Sequence, residues 1–61
     1  MRYVRLRDER GTWRWLTPPL GSDIARTARR KTDAWILSGR GEASRKAAEL
    51  RALGYEARAA R

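Results

Sequence analysis

Apolar and polar residues alternate with a period of two at the start of the chain, where Val4 and Leu6 interleave with Tyr3, Arg5 and Arg7. The same period returns at Trp13 and Trp15, which interleave with Thr12, Arg14 and Leu16. Two strands are expected, joined by the turn Asp8-Glu9-Arg10-Gly11. Pairing Leu6 with Trp13 and Val4 with Trp15 sets four large apolar side chains on one face. This pairing fixes the expected register, because a slip of one residue moves a strand's side chains to the opposite face. In that register Arg5 stands directly opposite Arg14, with Arg7 on the same side. Like charges so placed destabilise a sheet, so something other than hairpin stability is expected to favour them.

Thr17-Pro18-Pro19-Leu20-Gly21 interrupts the pattern, and since neither proline can donate to a ladder it reads as a loop. Beyond it Ser22 or Asp23 is a candidate N-cap, and Ile24 and Ala28 make an i, i+4 apolar pair while Arg26, Arg29, Arg30 and Lys31 point elsewhere. Residues 22–32 read as a short helix, and an extended basic loop would read almost the same. Ala34-Trp35-Ile36-Leu37 is a continuous apolar run, which suits a central strand buried on both faces. Gly39-Arg40-Gly41 follows as a turn, and from Glu42 the period becomes helical, with Ala43, Ala47, Leu50 and Leu53 along one side. Glu42 with Lys46, and Arg45 with Glu49, are expected as i, i+4 pairs on the outer side. Gly54 suits the residue just past a helix end, with Tyr55 closing over it. Tyr55 to Ala59 alternates again, which completes a strand-helix-strand unit over residues 33–59 with a parallel return. The expected fold is therefore α+β: one single-layer sheet made of an N-terminal β-hairpin and a C-terminal strand-helix-strand unit, with the main helix, and a short second one if 22–32 is helical, on its face. Residues 1–61 form a single small basic domain, since a chain of 61 residues has room for only one thin core.

Charge and composition narrow the chemistry. Fifteen Lys+Arg against seven Asp+Glu give +8 at neutral pH, a bias towards polyanionic partners. The chain has no His and no Cys, so disulfides, ordinary zinc sites, the commonest general base and the thiol nucleophile are all excluded. The carboxylates are scattered among arginines that hold them ionised, so no enzyme and no cofactor is expected. No apolar run approaches the roughly 20 residues that span a bilayer, so no membrane association is expected and the chain reads as soluble and cytoplasmic. With so thin a core, stability rests on apolar packing, on a partner or on self-association, which leaves a homo-oligomer open.

The candidate contact residues are Arg5, Arg7 and Arg14 on the hairpin and Arg26, Arg29, Arg30 and Lys31 in the next segment. Arg40, bracketed by glycines where the main helix begins, joins them because a helix start offers free N–H groups to an anion. Trp13, Trp15 and Trp35 read as core rather than as base-stacking residues, being the largest apolar side chains in a chain without Phe. A two-stranded ribbon that projects arginines can enter a DNA major groove, so a nucleic-acid-binding accessory or regulatory module is expected, with DNA favoured over RNA. The alternative is a small protein-interaction module, such as a phage-encoded adaptor or inhibitor docking on an acidic host protein.

Two stretches resemble known families. "WILSGRGEASRKAAELRALGYEARA" looks like the strand-helix-strand half of SPOR domains, which bind peptidoglycan glycan strands, although the turn lacks that family's aromatic residue. "GTWRW" with the later "EASRKAAEL" is similar to the arm-type DNA-binding domains of phage integrases, three strands followed by a helix, from which the Pro-Pro segment and the final strand depart. No residue role is carried over from either.

Overall fold

The hairpin turn decides which side chains face the core. In a computed structural model, which describes residues 2–61, β1 spans Tyr3–Arg7 and β2 spans Trp13–Leu16. The Asp8 N–H donates to the Thr12 carbonyl at 2.9 Å, closing a loop over residues 9–11. Gly11 takes φ +82°, the left-handed position that completes a three-residue hairpin loop. The register expected from the apolar count needs a two-residue loop at Glu9-Arg10, with positive φ at both positions or glycine at the first, and these residues suit neither. Turn chemistry therefore overrides the apolar count: Arg5 pairs with Trp15, Leu6 with Arg14 and Arg7 with Trp13. The side chains of β2 are inverted relative to the expectation. Arg14 joins the side of Leu6, Trp13 and Trp15 join Arg5 and Arg7, and the expected opposition of Arg5 and Arg14 does not form.

β3, Thr27–Ala28, adds to the outer side of β2, and β4, Ala57–Ala60, adds to the other side of β1. The sheet runs β3-β2-β1-β4, with each neighbouring pair antiparallel. Residues 34–37 are not a central strand, because β2 and β4 take both edges of β1. They cross the open end of the hairpin instead, with the Trp35 N–H donating to the Leu16 carbonyl at 2.8 Å and the Leu37 N–H to the Arg2 carbonyl at 2.9 Å. Leu37 closes the core there while Ile36 is exposed. The return through the helix leads to an antiparallel strand, not the parallel one expected. The short helix expected in the 22–32 segment does not form: Thr27 and Ala28 pair with β2 as β3, a 3₁₀ turn follows at Lys31–Asp33, and Ile24 is exposed. The Thr17 N–H and hydroxyl both donate to the Arg26 carbonyl, which folds the Pro-Pro loop back onto β2.

The helix α1, Arg40–Ala52, turns Ala43, Ala47 and Leu50 onto Val4, Leu6, Leu16, Leu37 and Ala57. Its alanines permit close approach to the sheet. It ends as expected at Gly54, φ +99°: the Gly54 N–H donates to the Arg51 carbonyl at 3.0 Å and the Tyr55 N–H to that of Leu50 at 3.1 Å, the paired bonds of a Schellman motif. Leu53 lies past the buried stripe and is exposed. On the outer side Lys46 pairs with Glu49 at 3.0 Å, while Glu42 turns back to the Ser38 N–H and hydroxyl. Among the described residues no helix is long and apolar enough to cross a membrane. Since α1 packs on the Val4 and Leu6 side, no helix or strand among the described residues covers the opposite face of the sheet, where Tyr3, Arg5, Trp13 and Trp15 are half-buried.

Candidate nucleic-acid interface

That uncovered face carries Tyr3, Arg5 and Arg7 from β1, Trp13 and Trp15 from β2, and Arg58 from β4. β1 bonds its neighbours alternately, as the Asp8 to Thr12 bond on one side and the Arg7 N–H to the Glu56 carbonyl at 3.0 Å on the other show. Arg5 with Trp15 and Arg7 with Trp13 are thus non-hydrogen-bonded pairs, the kind in which facing side chains come closest. The Arg5 guanidinium lies 4.8 Å from the Trp15 ring centre. Tyr3 meets Trp15 edge to face, with centroids 5.7 Å apart and planes at 80°. Lys31, delivered by the 3₁₀ turn, sits 5.0 Å from the Tyr3 ring and 5.6 Å from that of Trp15. Arg58 reaches diagonally across β1 to lie 4.5 Å from the Trp13 ring. The face is a strip of alternating rings and cations. Each such contact contributes about 0.5–1 kcal/mol near the surface, enough to position a cation and too little to retain it against a better partner.

Arg5 is the most constrained of these cations. Its Nε is buried with no hydrogen-bond partner, and across the β1–β4 pairing it directly opposes Arg58. An opposed arginine pair is present, but it is made across β4 with Arg58 and not, as expected, across β2 with Arg14. Arg7 is committed locally, its Nε donating to the Gly11 carbonyl at 3.0 Å and its Nη1 to Glu56 Oε2 at 3.1 Å.

Of the residues singled out from the sequence, Arg5, Arg7 and Lys31 come together on this strip. Arg14 lies on the helix side, where its Nε donates to Asp8 Oδ2 at 3.0 Å, and Arg29 lines an open cleft there with Arg10 and Arg14. Arg26, Arg30 and Arg40 are exposed, Arg30 just before the 3₁₀ turn and Arg40 at the head of α1. Glu42 places the chain's own carboxylate in the first turn of α1, turned back to Ser38. The Ser38 hydroxyl foremost, then its amide, holds that carboxyl below the usual range. Asp8 is likewise lowered, chiefly by the Thr12 amide, with Arg14 and the Arg10 amide adding to it.

Sequence reasoning assigned Trp13 and Trp15 to the core and passed over Arg58. Loop length was the available signal for the tryptophans; for Arg58 it was the alternation of Glu56 and Arg58 with Ala57. Trp35 does pack against the core, with Lys46 5.4 Å from its ring. No family model, curated protein or solved structure matches the chain.

Proposed function

We propose that this chain is a non-enzymatic nucleic-acid-binding module, accessory or regulatory in role, whose contact surface is the uncovered face of the sheet. One observation carries it: Tyr3, Trp15 and Trp13 alternate there with Lys31, Arg5 and Arg58. Rings offer stacking surface to bases, guanidinium and ammonium groups offer partners to phosphates, and the excess of positive charge steers a polyanion inward. Docking on an acidic protein draws on the same cations but gives the rings no stacking partner. Asp8 and Glu42, whose carboxyls are both held below the usual range, serve a turn and a helix start. The ribbon mode expected from the sequence needed Arg5, Arg7 and Arg14 on one face. With Arg14 on the helix side and Arg7 tied to Glu56, the cations laid on the rings are Arg5, Lys31 and Arg58.

The test is an anisotropy titration against single-stranded and duplex DNA and RNA between about 50 and 200 mM salt. Binding is expected at the low end. Three phosphate-contacting cations predict a slope of log K against log salt of about −2 for a single strand and about −3 for a duplex. Failure to bind any of these probes at about 50 mM salt sinks the proposal.

A further inference from the structure

We infer that the ligand of this face is a single-stranded nucleic acid, with successive bases stacked on Trp15 and Trp13 and its phosphates taken by Arg5, Arg58 and Lys31. This rests on the proposal above and goes further, from nucleic acid in general to one strandedness and one mode of contact.

Three features of the geometry point there. The first is ring spacing. Trp13 and Trp15 are alternate residues of one strand, so their side chains leave the same face about 6.8 Å apart, twice the rise of about 3.4 Å between stacked bases in a duplex. Two neighbouring bases can each meet a tryptophan only if they have unstacked from one another. A single strand permits that and a base-paired duplex does not. The second is the attitude of the cations. Reading guanine edges in a major groove requires guanidinium groups that project from the ribbon. Here Arg5 lies over Trp15 at 4.8 Å, Arg58 over Trp13 at 4.5 Å and Lys31 over Tyr3 at 5.0 Å. They lie along the sheet. The third is width. Four strands spaced about 4.8 Å apart set the outer axes about 14 Å from each other, and the rings stand on the inner two, β1 and β2. A major groove about 12 Å wide admits a two-stranded ribbon, and β3 and β4 flank that ribbon on both sides.

Binding then proceeds by exchange. A base takes the ring face that a cation occupied, and the displaced cation turns to the flanking phosphate. No contact is abandoned without replacement, and the cations are already beside the rings.

The experiment uses the full chain with three labelled probes, oligo-dT, oligo-rU and a DNA duplex of matching length, read by anisotropy and by tryptophan emission at about 50 mM salt. The single strands should bind about tenfold or more tighter than the duplex and quench tryptophan emission, the dT and rU arms showing which sugar is preferred. Trp15→Leu and Trp13→Leu should each weaken single-strand binding by about 5- to 150-fold, the range of one lost stack, with far-UV circular dichroism unchanged. Trp15→Phe, which keeps a ring, should retain affinity within about threefold. In the Trp13→Leu/Trp15→Leu double variant the remaining emission comes from Trp35, which packs on the helix-side core and should not respond to ligand. Duplex binding as tight as single-strand binding, or Trp13→Leu and Trp15→Leu variants that bind like the unaltered chain, overturns this inference and leaves the nucleic-acid proposal standing. No binding of any probe overturns both.

Discussion

Arg5 has β2 on one side and β4 on the other, and each neighbour acts on it differently. Trp15 attracts its guanidinium, Arg58 repels it, and its Nε is left buried without a partner. An unsatisfied buried donor costs about 1–3 kcal/mol, whereas the ring returns about 0.5–2 kcal/mol. The opposed Arg58 adds to the cost. Sheet stability therefore does not account for an arginine here, whereas the proposed ligand would. Arg5→Met retains an unbranched apolar stem, and its sulfur makes favourable contact with the Trp15 ring. Its thermal midpoint should equal or exceed that of the unaltered chain, while affinity for oligo-dT at low salt falls by about 5- to 10-fold. Melting and titration of the same sample check this, and a clear fall in the midpoint would mean that Arg5 is there for the sheet.

At the level of elements, two carboxylates hold the hairpin turn and the head of α1. Asp8 Oδ1 accepts from the Arg10 and Thr12 amides at 2.9 and 2.8 Å, its Oδ2 from Arg14, and Glu42 accepts from Ser38. Both titrate below their ordinary values when folded. A lowered folded pKa gives stability that is complete above the unfolded value, about 4, and is lost as pH falls through the lower folded one. The thermal midpoint should thus hold between about pH 7 and 5 and decline below about pH 4. In Asp8→Asn/Glu42→Gln it should start lower and decline less, the two curves converging in acid. Retention of the full acid decline by the double variant would assign it to other carboxylates. Part of what the chain encodes locally was legible in the sequence: the place of the turn, the stripe of Ala43, Ala47 and Leu50, and the stop at Gly54. The register was not, because two face assignments with the same period differ only in loop length, and apolar volume favours the wrong one. Gly11, third in its loop, is the residue that decides. Residues 34–37 read as a central strand because nothing near them tells that both edges of β1 are taken from elsewhere. The same dependence on distant pairing hid Arg58, which joins the candidate surface only once β4 lies against β1, whereas Arg5 stood out from alternation and charge and Lys31 from charge.

For the whole molecule, division of labour between the two sides of one sheet is the central consequence of the register. The helix side is a thin core of Val4, Leu6, Leu16, Leu37 and Leu50 with small alanines between, while Trp13 and Trp15 stand on the other side. A chain of this length has about 3–9 kcal/mol of stability in all. Leu16 is fully buried, and its carbonyl receives the Trp35 N–H that closes the end of the hairpin. Leu16→Ala should cost about 2–5 kcal/mol, lowering the midpoint by about 10 °C or more or leaving the chain largely unfolded. Such binding as remains should track the folded fraction, because the strip of rings and cations has lost nothing directly. Trp15→Leu should do the reverse, with a smaller loss of stability and a larger loss of affinity per folded molecule. Denaturant melts and titrations on both variants separate these outcomes. If Leu16→Ala proved the milder in stability, Trp15 would belong to the core, the faces of β2 would revert to the assignment that apolar counting favours, and the uncovered face would lose the rings on which its proposed role depends.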